Sequence, residues 1–401
     1  MTSMTVSTSR IAECVSAYAA RLHAVIGTKH HVASPLGAWL VLALAGPASD
    51  GADRAALSDV LGCDVADAAR AAAHLLTQPH PVIASAAAAW TRPAAQFPET
   101  FYRWRDALPA VVETGDLPGP AGLDAWAREH TFGLIDRFPI SGDDLYLVLA
   151  TALATKVSWQ VPFELAPASS LGAASPWAAK LDRVLRTPAW PRGRHTQFVT
   201  ATRQAGDVVV HIATAVGGLN VMSVAAMPDV ASGRVLAAAY DLGGKHATGT
   251  QIVARDLASL PLGEHPLWSA REVMAAADSC AAVLPAWSAR SKHDLSATGL
   301  GFDVAKHALV PNDDPWAAQQ AAMARYSRTG FEAAAISAMA VASAAWLPAV
   351  HREVVLRFGH PYAVVAVATA NTDATANTGG GPWHGLPVFS AWISEPEEAM
   401  D

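Results

Sequence analysis

The chain has 401 residues, 52% of them apolar and 16% charged, and a net charge of −7. That length and apolar content suffice for a sizeable core in one large domain or two ordinary ones, and alanine fills much of the gap between the charged fraction and the usual quarter. The acidic balance, with no dense basic run, argues against a nucleic-acid partner.

Cys14, Cys63 and Cys280 are far apart and odd in number. They predict neither a disulfide framework nor a metal cluster and require no oxidising compartment. Met1 to Arg10 is polar, without a basic start followed by an apolar run, so no secretory signal is read and a cytoplasmic location is expected. The best candidate for a membrane span is Ala333 to Val350, but it is mostly Ala and Ser with Pro348 near its end, a composition that inserts poorly.

Ser9 to Val25 carries Ile11, Val15, Tyr18, Ala19 and Leu22 in a helical stripe that Ser9 can cap. His30-His31, next to Lys29, reads as a solvated loop or cap, because adjacent residues rarely bind one ion with good geometry and no HExxH or Cys pair accompanies them. Ser34-Pro35 opens a second helix, with Ser at the N-cap and Pro in the first turn. Leu36 to Ala45 is apolar all round, which predicts a buried helix. Asp50 to Leu61 reads as a third, more amphipathic helix.

Val82 to Trp90 reads as a strand, Phe97 to Leu108 as a helix and Ala110 to Thr114 as a strand. Leu123 to Arg137 is an amphipathic helix with Trp126, Leu134 and Ile135 as candidate buried positions. Leu145 to Trp159 reads as one long, mostly buried strand. Ala166 to Gly193, rich in Ala, Ser and Pro, reads as an irregular connection with one short helix. Strand signals then dominate: Val208 to Ile212, Leu219 to Ala225, Val235 to Tyr240, Gln251 to Val253, Ala281 to Leu284, Val354 to Phe358, Tyr362 to Ala370 and Val388 to Ile393. Helices first and mixed strands later, without βαβ alternation, argue for an α+β fold with large, partly antiparallel sheets. No repeat period is visible.

Enzyme motifs are missing. Gly299-Leu300-Gly301 lacks the third glycine and the preceding strand of a nucleotide fingerprint. Gly379-Gly380-Gly381 reads as a hairpin loop, and there is no G-x-S-x-G elbow.

Several segments together resemble the serpin family. Ser34-Pro35-Leu36 and Leu61-Gly62 resemble the family's buried second helix and the turn after its third. Leu123-Asp124-Ala125-Trp126 with Thr131, Gly133 and Ile135 resembles the helix that covers the main sheet. LVLATALATKVSWQVPF (Leu147 to Phe163) resembles the central strand and the breach at its top. GLNVMSVAAMPD (Gly218 to Asp229) resembles a strand of the second sheet, and VLPAWSARSKHDLSATGLG (Val283 to Gly301) a strand leading to a short helix that ends in Leu-Gly. TGFEAAAISAMA (Thr329 to Ala340) resembles the reactive-loop hinge. LRFGHPYAVVAVA (Leu356 to Ala368) and GLPVFSAWISEPE (Gly385 to Glu397) resemble the last two core strands. The match runs in order along nearly the whole chain, and the hinge pattern is its most specific part.

The resemblance implies a single serpin domain over residues 1–401, with N-terminal helices on large mixed sheets and an exposed reactive-centre loop at about 328–352. It implies a metastable monomer that is not an enzyme, needs no cofactor and inhibits serine proteases: the protease cuts the loop, which then inserts into the main sheet. An extracellular location is also compatible with the family. The hinge falls on Gly330, Phe331, Glu332, Ala333, Ala334 and Ala335. The polar cluster that controls sheet opening falls on Ser34, Thr151 and Gln320, with Gly37 in place of a second serine, and Trp159 falls at the breach. Asp64 to His80 holds Arg70 as its sole Lys or Arg, so no heparin-type cofactor is expected.

Strand alternation supports insertion. Phe331, Ala333, Ala335, Ser337, Met339, Val341 and Ser343 share one face, small or apolar apart from two serines, while the only charge, Glu332, falls on the other. The same alanines also suit an inert helix over Glu332 to Trp346. Counting from Gly330 puts the cut at Ala344-Ala345, and counting back from His360-Pro361 puts it at Val350-His351. The window also contains Trp346 and Leu347. No Lys or Arg occurs between Arg328 and Arg352, which disfavours a trypsin-like target. Elastase-, chymotrypsin- and subtilisin-like proteases fit better, with a papain-like cysteine protease as a further target class. Arg328 stands where the family has Glu, and Phe331 where inhibitors have Thr or Ser. Both favour the alternative of a non-inhibitory serpin acting as a binding or carrier module.

Overall fold

The computed structural model describes residues 7–93, 95–140, 145–188, 195–275, 277–310, 316–331, 349–370 and 381–400, with the backbone alone at Phe331. In chain order these residues form α1 (Thr8–Ile26), β1 (His31–Ala33), α2 (Pro35–Ala45), α3 (Gly51–Leu61), α4 (Val65–Thr77), β2 (Ile83–Thr91), α5 (Glu99–Asp106), β3 (Val112–Asp116) and α6 (Pro120–His130). Next come β4 (Leu147–Thr155), β5 (Val157–Ser158), β6 (Glu164–Pro167), β7 (Arg183–Arg186), β8 (His195–Thr202), β9 (Gly206–Ala215), β10 (Leu219–Ala226) and α7 (Ser232–Thr248). The last part holds β11 (Gly263–Glu264), β12 (Trp268–Ala275), β13 (Ser279–Leu284), β14 (Trp287–Asp294), α8 (Phe302–Leu309), β15 (Gln319–Tyr326), β16 (Gly330–Phe331), β17 (Ala349–Arg357), β18 (Tyr362–Ala368) and β19 (Pro387–Ile393).

Two six-stranded sheets run in the orders β1-β19-β18-β10-β9-β8 and β11-β12-β17-β13-β7-β6. The strands that matter most here form smaller ladders. β3, β2 and β4 make one, β14 and β15 another, and β16 pairs with β5. α2 lies beneath this last group. Its sequence is apolar all round, and every residue but Val41 is buried, as a helix enclosed on all sides must be. Among the described residues no helix is long and apolar enough to cross a membrane.

The helix cap and boundaries depart from expectation at identifiable places. Ser7, not Ser9, caps α1 by accepting from the Arg10 amide. α6 ends at His130 rather than Arg137, because Phe132 (φ 53) and Gly133 (φ 75) both turn left-handed and the Gly133 amide closes back on Arg128 O. Leu134 and Ile135 therefore lie beyond the helix, half-buried. Val235 to Tyr240 is not a strand but part of α7, whose buried face recurs at helical spacing (Val235, Leu236, Ala239, Leu242). A short apolar run has no period of its own, and alanine tips it towards helix. Gln251 to Val253 forms no strand. Leu300-Gly301 opens α8, with Gly301 at its N-cap, rather than closing a helix. Two short strands, β6 and β7, stand in the segment expected to be irregular.

Candidate functional site

A cleft separates β4 from β15. Leu147 to Thr155 form one wall, Gln319 to Met323 the other, and Gly37, Ala38 and Val41 of α2 the floor, while Trp126 and Ile135 lie over it. Among the described residues no backbone hydrogen bond joins the two walls. β4 alternates its faces. Val148, Ala150 and Ala152 pack with Leu123 and Trp126 of α6, whereas Leu147, Leu149 and Leu153 pack on the main core below.

Three of the polar residues expected to act together do meet, at the N-terminus of α2. Gln320 on β15 donates through Nε2 to Ser34 O (2.8 Å) and accepts at Oε1 from the Ser34 amide (2.9 Å). Ser34 Oγ donates to Val388 O (2.8 Å) and accepts from the Gly37 amide (3.2 Å). Thr151 on β4 donates through Oγ1 to Gly37 O (2.8 Å). Each wall is thus tied to the same helix end through its own side chain. Replacing Gln320 with Ala leaves the buried Ser34 amide without its partner, and a loss of about 2 kcal/mol in urea unfolding is expected.

The walls converge at the head of the cleft. The strand there breaks at Lys156, and β5 pairs antiparallel with β16, Ser158 opposite Gly330 and Val157 opposite Phe331. Trp159 is buried. Its Nε1 donates to Ser327 O (3.0 Å), its amide donates to Thr329 O (3.0 Å), and its ring lies 4.9 Å from that of Tyr326 and 6.3 Å from that of Phe163. Arg328 Nε donates to Phe163 O (3.1 Å), and Phe163 N to Arg328 O (2.9 Å). The Arg328 guanidinium is therefore held by a backbone carbonyl. Glu332, Ala333, Ala334 and Ala335 of the hinge, and Ala344, Ala345, Trp346 and Leu347 of the scissile window, lie outside the described residues. Val350 stands inside β17, paired with Met274 of β12.

Two histidine groups adjoin the site, and no local sequence signal marks either. His31 does not lie in a solvated loop; it is buried in β1. Its Nδ1 faces Lys29 O (2.7 Å) and so carries the proton, which leaves Nε2 to accept from His23 Nδ1 (2.9 Å). His23 Nε2 then accepts from Ser390 Oγ (2.7 Å). His293 of β14 donates through Nε2 to Val32 O (2.7 Å), touches His31 edge-on, and lies directly opposite Gln320 in the β14–β15 ladder. Burial depresses all three, His23 to about 3 and His31 to about 4. Near the breach, His195 Nδ1 meets His211 Nε2 (3.1 Å) beneath the Phe163 ring, and burial holds both well below the usual imidazole range. No group of three or more His, Cys, Asp or Glu among the described residues could hold a metal ion.

No protein-family model and no curated protein matches this sequence. Solved structures do. Human thyroxine-binding globulin complexed with thyroxine is similar at 12% identity and TM-score 0.64, covering 98% of this chain and 100% of that one. Human glycosylated kallistatin gives 15% identity and 0.60, covering 98% and 100%. Serpin48 of the insect Tenebrio molitor gives 14% and 0.58, covering 97% and 98%. With a helix-covered cleft between two sheet halves, a short β5–β16 pairing at its head and end-to-end similarity to these structures, the chain has the serpin fold.

Proposed function

We propose that the protein inhibits serine endopeptidases by sacrificing its reactive loop, which is cut and then inserts between β4 and β15; it is not itself a catalyst. The observation that carries this reading is the register at the head of the cleft. Gly330 faces Ser158 and Phe331 faces Val157, while the Ser327 amide donates to Gly330 O as the chain turns back from β15. Extending both ladders downward would set Ala335 between Leu153 and Ala322, and Ser337 between Thr151 and Gln320. Directly opposed residues of antiparallel strands share a face. The odd-numbered residues would therefore point towards α2 and the even-numbered ones towards α6, with Glu332 opposite Lys156. The inner face would then be uncharged, and the lone carboxylate would fall beside a cation. By the same alternation Phe331 would also take the inner face, and overpacking there would cost about 1–3 kcal/mol, enough to slow insertion.

Because Val350 belongs to a ladder, the proposed cut narrows to Ala344 through Leu347. Ala344 and Ala345 suit an elastase-like pocket, and Trp346 and Leu347 a chymotrypsin- or subtilisin-like one. The test is incubation with elastase, chymotrypsin and subtilisin, followed by denaturing electrophoresis and mass mapping of the cut. The native chain is expected to form a denaturant-stable complex with at least one of them. Ala335→Arg, which would bury a guanidinium over Gly37, is expected to be cut at the same bond without complex, a loss of at least tenfold in trapped protease. Equal trapping by the variant would sink the insertion reading.

A carrier reading has a structural observation in its favour beside Arg328 and Phe331. A groove of about 1180 Å³ lies between α1 and α7, lined by Tyr240, Lys245 and His384 among others, and a thyroxine complex is among the similar structures. Saturable thyroxine binding by a chain that traps none of the three proteases would favour it.

A further inference from the structure

The three cysteines are scattered in sequence, yet the fold brings two of them together. Cys14 projects from α1 into the core and is 2% exposed. Cys63 is half-buried and follows Gly62, whose left-handed backbone (φ +74) ends α3. A Cβ added at Gly62 would lie 3.4 Å from Cys14 Sγ and 3.5 Å from Cys14 Cα, so the chain entering Cys63 passes in van der Waals contact with Cys14. The Cys14 thiol donates to Gly62 O (3.3 Å), the carbonyl of the peptide bond that leads into Cys63, so the two cysteines are neighbours. Arg10 Nη2 donates to the same Gly62 O (2.9 Å), which brings a guanidinium to the pair.

We propose that Cys14 and Cys63 are an oxidisable dithiol site that closes to a disulfide on meeting a low-molecular-weight disulfide. The neighbouring Cys63, and after it the Arg10 charge, pulls the Cys14 thiol down to about 7, while Cys63 is pushed up by Cys14 and by burial. Cys63 is the less buried of the two residues and so the one an outside molecule can reach. Having passed its proton to the adjacent Cys14 thiolate, it attacks one sulfur of the reagent, forming a mixed disulfide and expelling one thiolate, which takes that proton back from Cys14. The Cys14 thiolate then attacks Cys63 Sγ and expels the second. Two protein thiols are oxidised by two electrons, the reagent is reduced to two thiols, and the two protons released end on those thiols. The bond would tie α1 to the α3–α4 junction around α2, the helix that anchors both walls of the cleft. Cys280 on β13 has its thiol pushed up to about 12 by burial and serves as the internal control. The inference does not depend on the inhibitor reading.

The experiment uses the full chain and oxidised glutathione, with Cys14→Ser, Cys63→Ser and Cys280→Ser alongside. The native chain and Cys280→Ser are expected to lose two alkylatable thiols, to drop in mass by two hydrogens without retaining glutathione, and to yield one dithiothreitol-sensitive peptide pair containing Cys14 and Cys63. Cys14→Ser is expected to retain glutathione on Cys63, because nothing resolves the mixed disulfide. The closed form should melt higher by on the order of 5 °C, since a loop of about fifty residues is removed from the unfolded ensemble. A stable glutathione adduct on the native chain, both thiols still alkylatable after treatment, or loss of the effect in Cys280→Ser would each overturn the proposal.

Discussion

Lowering the pH from 7 to 5 is expected to remove about 4 kcal/mol of folding stability through His23 and His31 alone. Burial keeps both imidazoles neutral in the folded state, at about 3 and about 4, against about 6.5 for an unfolded chain. As the pH falls, the unfolded chain therefore takes up protons first. The stability these residues contribute is fully present above about pH 6.5 and is lost on the way down to their folded values. At pH 5 each accounts for about 2 kcal/mol. The chain of bonds from Lys29 O through His31 and His23 to Ser390 has one proton per link, and an added proton would set two donors face to face. Urea midpoints measured at pH 7, 6 and 5 check this. His31→Gln should flatten the pH dependence by about half of the pair's share; an unchanged slope would show that the array does not titrate with unfolding.

The second large effect is expected at Gly330. A Cβ there would overlap Val157 O and sit 2.8 Å from Ser158 Cα. Both are backbone atoms, so neither can swing away as a side chain would. Gly330→Ala must break the β5–β16 pairing or displace one of its strands, at a cost of about 3 kcal/mol. Thermal melting reads the cost directly. Limited proteolysis reads its location: cleavage between Ser327 and Val350 should accelerate, while cleavage elsewhere should not. A melting point within a degree of the native one would mean that the β5–β16 pairing is not held at this distance in solution.

Much of the architecture was legible because it is written in local patterns. Ser34-Pro35 followed by uninterrupted apolar residues specifies a capped and buried α2, and that helix is found with that cap. The apolar run of Leu145 to Trp159 specifies a long, mostly buried strand; the structure holds it as β4 with a break at Lys156, and the two faces of β4 meet different core clusters. The mistakes came where the pattern was too short to have a period, as in Val235 to Tyr240, or where one residue outside the pattern decided the boundary, as Phe132 does for α6. At the site, Ser34, Thr151 and Gln320 could be named only through the family resemblance. Nothing about a threonine or a glutamine in a strand announces a bond to a helix end. The histidine array was not legible at all. His31 and His293 come together through β1 and β14, strands far apart in sequence, and the sign of their environment, buried and uncharged, exists only once the sheets have assembled. The same holds for Cys14 and Cys63, whose spacing suggested independence.

The two side-chain anchors on α2 have a mechanical meaning. Thr151 grips the carbonyl of Gly37 and Gln320 grips the backbone of Ser34, so the walls of the cleft are fastened to one turn of helix rather than to each other. A rigid turn cannot stretch, and the spacing between its ends acts as a fixed gauge for the gap above it. A strand arriving between the walls would meet a seat whose width the helix has already set, and widening that seat would mean rotating a wall about its anchor. If the loop inserts as proposed, the helix end would serve as the axle of the sheet, and its stiffness would decide how freely the two halves turn.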